Sequence, residues 1–195
     1  MEHSTHSELG SLGVDNKKLG MWTFLGSEVM LFTGLIATYL VFRGKSLTGP
    51  YPSELFADPT IVAVNTLVLL CSSLTMVLAH EGVEQGNRKR FFLFILATAG
   101  LGALFLSIQI FEYSKLIAEG LALNVNMFGA SFFTLTGFHG AHVSVGVLLL
   151  LMTAFRGWRQ GFTKEFPLAV EMIGLYWHFV DLVWVVIFTL VYLLK

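Results

Sequence analysis

Long apolar runs set the pattern of this chain, and short polar connections separate them. The runs lie at 21–42, 60–79, 91–110, 128–155 and 168–194. A helix needs about 20 mostly apolar residues to cross a bilayer, and every run reaches that length. The strict alternation that marks barrel strands does not occur in them. The pattern predicts an all-α fold, a polytopic membrane helical bundle with five transmembrane helices.

This division predicts two regions. Residues 1–19 form a polar N-terminal tail, and residues 20–195 form the five-helix membrane domain. The tail holds no apolar segment, so we expect no cleavable secretory signal, and we expect the first span to direct its own insertion. No connection between the runs is long enough to form a separate catalytic domain.

Lysine and arginine predict the orientation of the helices. Eight basic residues fall on the side of the tail: Lys17, Lys18, Arg88, Lys89, Arg90, Arg156, Arg159 and Lys164. Four fall on the other side: Arg43, Lys45, Lys115 and Lys195. Because basic loops tend to stay in the cytoplasm, we expect a cytoplasmic N-terminus and a periplasmic C-terminus.

Composition then excludes several classes of function. Hydrophobic residues make up 55% of the 195 positions and charged residues only 13%, which is the opposite of a disordered chain. The 12 basic residues are matched by 13 acidic ones, so we expect no nucleic-acid partner. Cys71 is the only cysteine, which excludes a disulfide framework.

An acidic residue interrupts the first run. Glu28 lies about two helical turns into the span, where burial of an ionised carboxylate is costly. Without a nearby cation, the membrane favours the neutral acid. Two interpretations stay open. Glu28 is either a carboxyl that holds a proton or contacts lipid, or a neutral side chain that hydrogen-bonds to a neighbouring helix.

The last two runs carry the other ionisable groups. His139 and His142 share one face of the fourth run, and Glu171, His178 and Asp181 share one side of the fifth. The i, i+3 spacing of His178 and Asp181 would let a carboxylate hold a histidine proton. We expect these groups either to make interhelical hydrogen bonds between the fourth and fifth helices or to form a functional polar site.

The same groups do not predict a redox centre in this chain. An oxygen-reducing haem–copper site needs more than three intramembrane histidines, and a dinuclear copper site needs cysteines that are lacking here. A membrane cytochrome with one haem between His139 and His178 is a minor alternative. We therefore expect no catalytic residue and no metal ligand in this chain.

Small residues predict where helices approach closely in lipid. Ala99, Ala103 and Ser107 recur at every fourth position of the third run, and Gly140 and Ser144 do so in the fourth. We expect both ridges to lie between helices.

Four blocks of sequence resemble subunit III of the haem–copper oxidases, the family of cytochrome c and quinol oxidases. They are LGM at 19–21 with SEVMLFTG at 27–34; NT at 65–66 with AH at 79–80 and GNRK at 86–89; QIFEY at 109–113; and TGFHGAHV at 136–143 with Gly146 and YWHFVDLVW at 176–184. Their order and spacing match over nearly the whole chain beyond residue 18.

The resemblance implies a non-redox subunit that packs against the catalytic subunit of an aerobic terminal oxidase in a bacterial inner membrane. Enzyme activity belongs to the complex, a cytochrome c oxidase or quinol oxidase that reduces oxygen to water and pumps protons. Haem and copper lie in partner subunits. The implied partners are subunits I and II, phospholipids and, in a larger assembly, other respiratory complexes. The subunit supports assembly, lipid binding and proton uptake.

The family's functional positions fall on residues already singled out: the intramembrane glutamate on Glu28, the paired histidines on His139 and His142, and the histidine and aspartate of the last helix on His178 and Asp181. A basic residue that contacts lipid headgroups in relatives falls on Arg156, at the expected cytoplasmic surface.

The chain departs from the family in one respect. Many relatives have seven spans, and the match here begins at the family's third helix. The two missing helices form one wall of the lipid cleft, so we predict that another chain of the complex supplies that wall. Two other interpretations remain: a subunit III-like partner of a nitric oxide reductase, and an independent small proton-linked transporter.

Overall fold

The computed structural model describes residues 16–43 and 60–194. Within these residues the chain forms long helices and no strand. The helices are α1 (Asn16–Phe42), α2 (Thr60–Glu84), α3 (Arg88–Ala118), α4 (Met127–Gln160) and α5 (Phe166–Phe188), which continues into a π-helical turn at Thr189–Leu193. Each of the five is long and apolar enough to cross a membrane, so the predicted fold class is confirmed.

The helices extend beyond the apolar runs because polar residues form their ends. α1 begins at Asn16, inside the region predicted as tail. Asn87 and Asn126 precede α3 and α4, and each accepts a hydrogen bond from a backbone N–H of the first turn, at 3.1 and 2.6 Å. Residues 1–15, the proline-containing connection 44–59 with Lys45, and Lys195 lie outside the described residues.

Four of the helices form a closed ring. α2 packs against α3, α3 against α4, α4 against α5, and α5 back against α2. α1 lies outside this ring, against α4 and α5. It buries only Leu25, Phe32 and Tyr39, which are spaced seven residues apart. The ring therefore provides the rigid core, and α1 is held by one narrow seam.

The centre of the ring is built around Trp177 of α5. A Cβ atom on Gly102 of α3 would lie 2.6 Å from the Trp177 ring, and one on Gly146 of α4 would lie 2.8 Å from it. Of the predicted small-residue ridges, Ala99 is buried, but the rest do not lie between helices of this chain. Ala103 is exposed, and a Cβ on Gly140 would meet nothing within 4 Å. The close contact in this bundle is between the Trp177 ring and two glycines, and not between two helix backbones.

Polar contacts define the two ends of the bundle. At one end, Lys17 pairs with Glu165 at 3.3 Å and Lys18 with Glu171 at 2.7 Å, which joins the starts of α1 and α5. We call this the inner end. At the opposite end, the Arg43 guanidinium donates hydrogen bonds to the backbone carbonyls of Leu190, within the π-helical turn, and Leu194, just after it.

Candidate functional site

Glu28 does have a partner, on another helix. Its Oε2 lies 3.0 Å from Nε2 of His142 on α4. The other ring nitrogen, Nδ1, lies 2.7 Å from the Phe138 carbonyl oxygen, which can only accept, so Nδ1 carries a hydrogen. Glu28 and Nε2 therefore share one proton. The pair has zero net charge whether that proton resides on the acid or on the imidazole.

This pair lies at the edge of the bundle, beside an apolar cavity. The side chains of Glu28 and His142 are 15% and 18% exposed. Tyr176 of α5 donates a hydrogen bond to the His142 carbonyl at 3.0 Å, which joins the pair to a third helix. The cavity has a volume of about 290 Å³ and lies between α1, α4 and α5; its lining is Met21, Phe24, Ala141, His142, Val145, Leu149, Ile173 and Tyr176.

His139 lies one turn from His142 but in a different environment. Its ring stacks on Trp184 with centroids 4.8 Å apart, and Phe105 meets it edge-on at 5.9 Å. It is fully enclosed, and neither ring nitrogen has a hydrogen-bond partner within the described residues. The two histidines do not act as a pair, because one faces α1 and the other faces the aromatic centre of the ring.

The three ionisable groups of α5 also have separate surroundings. Glu171 pairs with Lys18 at the inner end. His178 places Nδ1 2.6 Å from Ser73 Oγ on α2. Asp181 is only 4% exposed, and neither of its carboxyl oxygens has a hydrogen-bond partner in the described part of the chain. The i, i+3 spacing thus does not produce a His178–Asp181 hydrogen bond.

Arg156 lies near the end of α4, on the inner side. Its Nε donates a hydrogen bond to Gln160 Oε1 at 3.2 Å, and the contact is exposed. The rest of the guanidinium therefore remains available to groups outside the chain.

Two tryptophans that the motif analysis did not single out join α5 to α2. The indole N–H of Trp177 donates to Ser72 Oγ, and that of Trp184 donates to Thr66 Oγ1, both at 3.0 Å. The seven-residue spacing of the two indoles could have revealed them, since it places both on one helix face. With the partly buried Ser73–His178 contact, these two buried bonds make three polar links between α2 and α5.

Ser72→Ala is expected to lower the free energy of unfolding by about 1–2 kcal/mol, because it leaves the buried Trp177 N–H without its acceptor. Reversible unfolding in mixed micelles, followed by tryptophan fluorescence, measures the loss. Ser107→Ala is the matched control, since that hydroxyl is exposed and bonds its own helix at 2.9 Å. Equal effects of the two substitutions would contradict the role of the indole bond.

No group of three or more His, Cys, Asp or Glu side chains that could hold a metal ion occurs in residues 16–43 and 60–194. The positions of His139 and His178 also do not suit a haem held between them. The imidazole of His139 is enclosed by aromatic rings, and His178 directs Nδ1 at Ser73 on a different helix.

Comparison with known proteins decides the family. A family model described as cytochrome c oxidase subunit III matches residues 3–195. The chain belongs to the cytochrome c oxidase subunit III family. This confirms the resemblance carried by the four sequence blocks.

Individual relatives agree with the family model. Cytochrome c oxidase subunit 3 of Bacillus sp. (strain PS3) is 41% identical over 179 residues, covering 92% of this chain and 86% of the relative. Quinol oxidase subunit 3 of Bacillus subtilis (strain 168) is 36% identical over 204 residues, covering 100% and 98%. Cytochrome bo(3) ubiquinol oxidase subunit 3 of Pseudomonas aeruginosa is 37% identical, covering 92% and 85%. These matches favour an oxidase subunit III over a nitric oxide reductase partner or an independent transporter.

Proposed function

We propose that this subunit III supports the catalytic subunit of a proton-pumping oxygen reductase and carries no redox centre itself. The observation that carries the proposal is the Glu28–His142 pair, a proton-sharing contact between α1 and α4 at the partly exposed edge of the bundle. Because the pair lies at this edge, it can change its hydrogen bonds to a neighbouring subunit without any rearrangement of the four-helix ring. Its role is to tune protonation and hydration near the uptake path of subunit I.

The electron donor site belongs to other subunits in this proposal. Relatives named for cytochrome c oxidases and relatives named for quinol oxidases resemble this chain to a similar degree. A subunit that formed the donor site would be expected to separate the two groups more sharply. Haem and copper, together with the donor site, are therefore assigned to subunits I and II, and this chain contributes assembly and durability.

Phospholipid is the proposed small partner. The 290 Å³ cavity beside His142 has an apolar lining suited to part of an acyl chain. The exposed guanidinium of Arg156 suits a headgroup phosphate at the membrane surface. Contact with other respiratory complexes in a larger assembly is a further proposal.

The basic residues at the inner end indicate how the bundle is oriented in the membrane. The starts of α1 and α5 meet at that end. The start of α3 and the end of α4 meet there too, since Arg88 donates a hydrogen bond to the Gly157 carbonyl. All eight basic residues of the predicted cytoplasmic side belong to this end. The inner end is accordingly assigned to the cytoplasm of a bacterial cell and the opposite end to the periplasm.

The exposed face of α1 is the proposed position of the wall that another chain supplies. Only 17% of the apolar stretch of α1 is buried within this chain, against 50% of the apolar stretch of α5. Large apolar side chains, including Trp22 and Met30, lie on the exposed surface of α1. Transmembrane helices of a neighbouring subunit would cover them.

The supporting role is tested by comparing the purified oxidase with and without this chain. We expect the depleted complex to take up protons more slowly and to inactivate after fewer turnovers. Proton uptake is measured by stopped-flow with a pH dye, and lifetime by oxygen consumption until activity ceases. Re-addition of the chain is the control and should restore both. Unchanged initial turnover, proton uptake and lifetime in the depleted complex would refute the proposal.

A further inference from the structure

A second polar region lies between α2 and α5, away from the Glu28–His142 pair. It is a cavity of about 180 Å³ toward the inner end, lined by Met76, Val77, His80, Glu171, Gly174, Leu175 and His178. We call it the inner groove. Three of its seven lining residues are histidine or glutamate, whereas the cavity beside His142 has only that one histidine. An apolar packing defect would not be expected to collect such groups.

The mouth of the inner groove is charged. Glu171 is paired with Lys18, and its side chain is 37% exposed. His80 lies 4.0 Å from Glu84, and its side chain is 30% exposed. These partly exposed groups at the end of the bundle favour water at the mouth.

The floor of the inner groove leads to a buried acid. His178 lines the groove, and its Nδ1 lies 2.6 Å from Ser73 Oγ. Asp181 lies three residues beyond His178 on α5, so it follows the groove-lining imidazole by about one helical turn. The groove thus ends at a hydrogen-bonded His178–Ser73 pair, and a carboxyl that is only 4% exposed lies one turn deeper on α5.

Asp181 needs a proton or a donor. A buried carboxyl without a hydrogen-bond partner is costly, and an ionised one more so. One turn further along α5, the path is closed by Trp184, which packs against Phe105 at 4.9 Å and against His139. Asp181 thus has the polar groove on one side along α5 and an aromatic layer on the other.

We propose that the inner groove is an aqueous inlet and that Asp181 is a proton-binding site filled along His178 and Ser73. A hydronium ion in the groove gives a proton to His178 Nε2 and becomes water, Nδ1–H passes its proton to the Ser73 hydroxyl, and Ser73 passes its own to the Asp181 carboxylate. No electron moves, and the relay resets when His178 and Ser73 rotate. The site stores a proton, and its existence does not depend on which subunit covers α1.

Water in the groove is tested by cysteine accessibility in the assembled complex. Cys71, the only cysteine, is first replaced by serine. Leu175→Cys and Val77→Cys then place a thiol in the groove, and Leu182→Cys and Leu70→Cys place one on the same helices two turns away, at exposed positions outside it. The probe is a charged, membrane-impermeant maleimide added to either side of oriented vesicles.

We expect the two groove thiols to react from the inner end and the two control thiols to stay unmodified, because only a hydrated thiol ionises to the reactive thiolate. Equal labelling of all four positions, or none at the groove, would overturn the inlet.

The proton on Asp181 is tested by infrared spectroscopy of the same complex in H2O and D2O. We expect a carboxylic-acid carbonyl band that shifts in D2O and is lost in Asp181→Asn. Ser73→Ala should keep the band but slow its exchange, and Ser73→Thr should restore the rate. A wild-type spectrum that Asp181→Asn leaves unchanged, or equal exchange in Ser73→Ala, would overturn the site.

Discussion

Gly102→Ala is expected to destabilise the bundle by about 1–3 kcal/mol, as overpacking of a filled core does. The new methyl group would lie 2.6 Å from the Trp177 ring and 2.9 Å from Val147. The ring cannot retreat easily, because Gly146 holds its other side and its N–H is bonded to Ser72. The measurement is the free energy of unfolding in mixed micelles.

Gly100→Ala is the matched control for this prediction. Gly100 lies two residues away on α3 and is exposed, and a methyl group added there would have no atom within 4 Å. Both substitutions gain helix propensity equally, so their difference isolates the contact with Trp177. The double variant Gly102→Ala with Trp177→Phe should be less destabilised than the sum of its parts. Equal stability of the two alanine variants would show that the ring adapts.

Breaking the Glu28–His142 pair is expected to have the second large effect. Glu28→Leu leaves His142 Nε2 without its partner in the apolar region, and His142→Leu leaves the carboxyl without one. Each single change should cost about 1–3 kcal/mol, the penalty for an unsatisfied buried polar group. The same substitutions should shorten the lifetime of the assembled oxidase during turnover.

A double-mutant cycle separates this pair from simple packing. We expect the Glu28→Leu, His142→Leu variant to be more stable than the sum of the singles predicts, with a coupling energy of about 0.6–1.7 kcal/mol. Glu28→Gln, which can still donate a hydrogen bond to the imidazole, should retain most of the stability. It should, however, remove the reaction of the carboxyl with a hydrophobic carbodiimide. Additive single substitutions would show that the two side chains do not stabilise each other.

The sequence predicted the helices well because a bilayer imposes a minimum apolar length on every span. The apolar runs could be recognised without any knowledge of packing. The predicted runs were shorter than the helices only because the helix ends, with Asn16 and the caps Asn87 and Asn126, are polar. The resemblance to subunit III was equally visible, because its motifs lie in fixed order along the chain.

The pairing of the polar groups could not be predicted in the same way. Helical spacing relates His139 to His142 and His178 to Asp181, but it does not determine which neighbouring helix each side chain meets. Glu28 was recognised, yet its partner lies 114 positions away on another helix. The contact of Gly102 with Trp177 was missed for the same reason, since a small residue accommodates a large ring as readily as another backbone.

The narrow seam that holds α1 also orders the biogenesis of the subunit. α1 leaves the ribosome before the other helices described here, but its packing partners α4 and α5 are made last. Until α4 inserts, the acid of α1 has no imidazole to share its proton with. The final position of the first helix is therefore set only after the last two helices have been inserted.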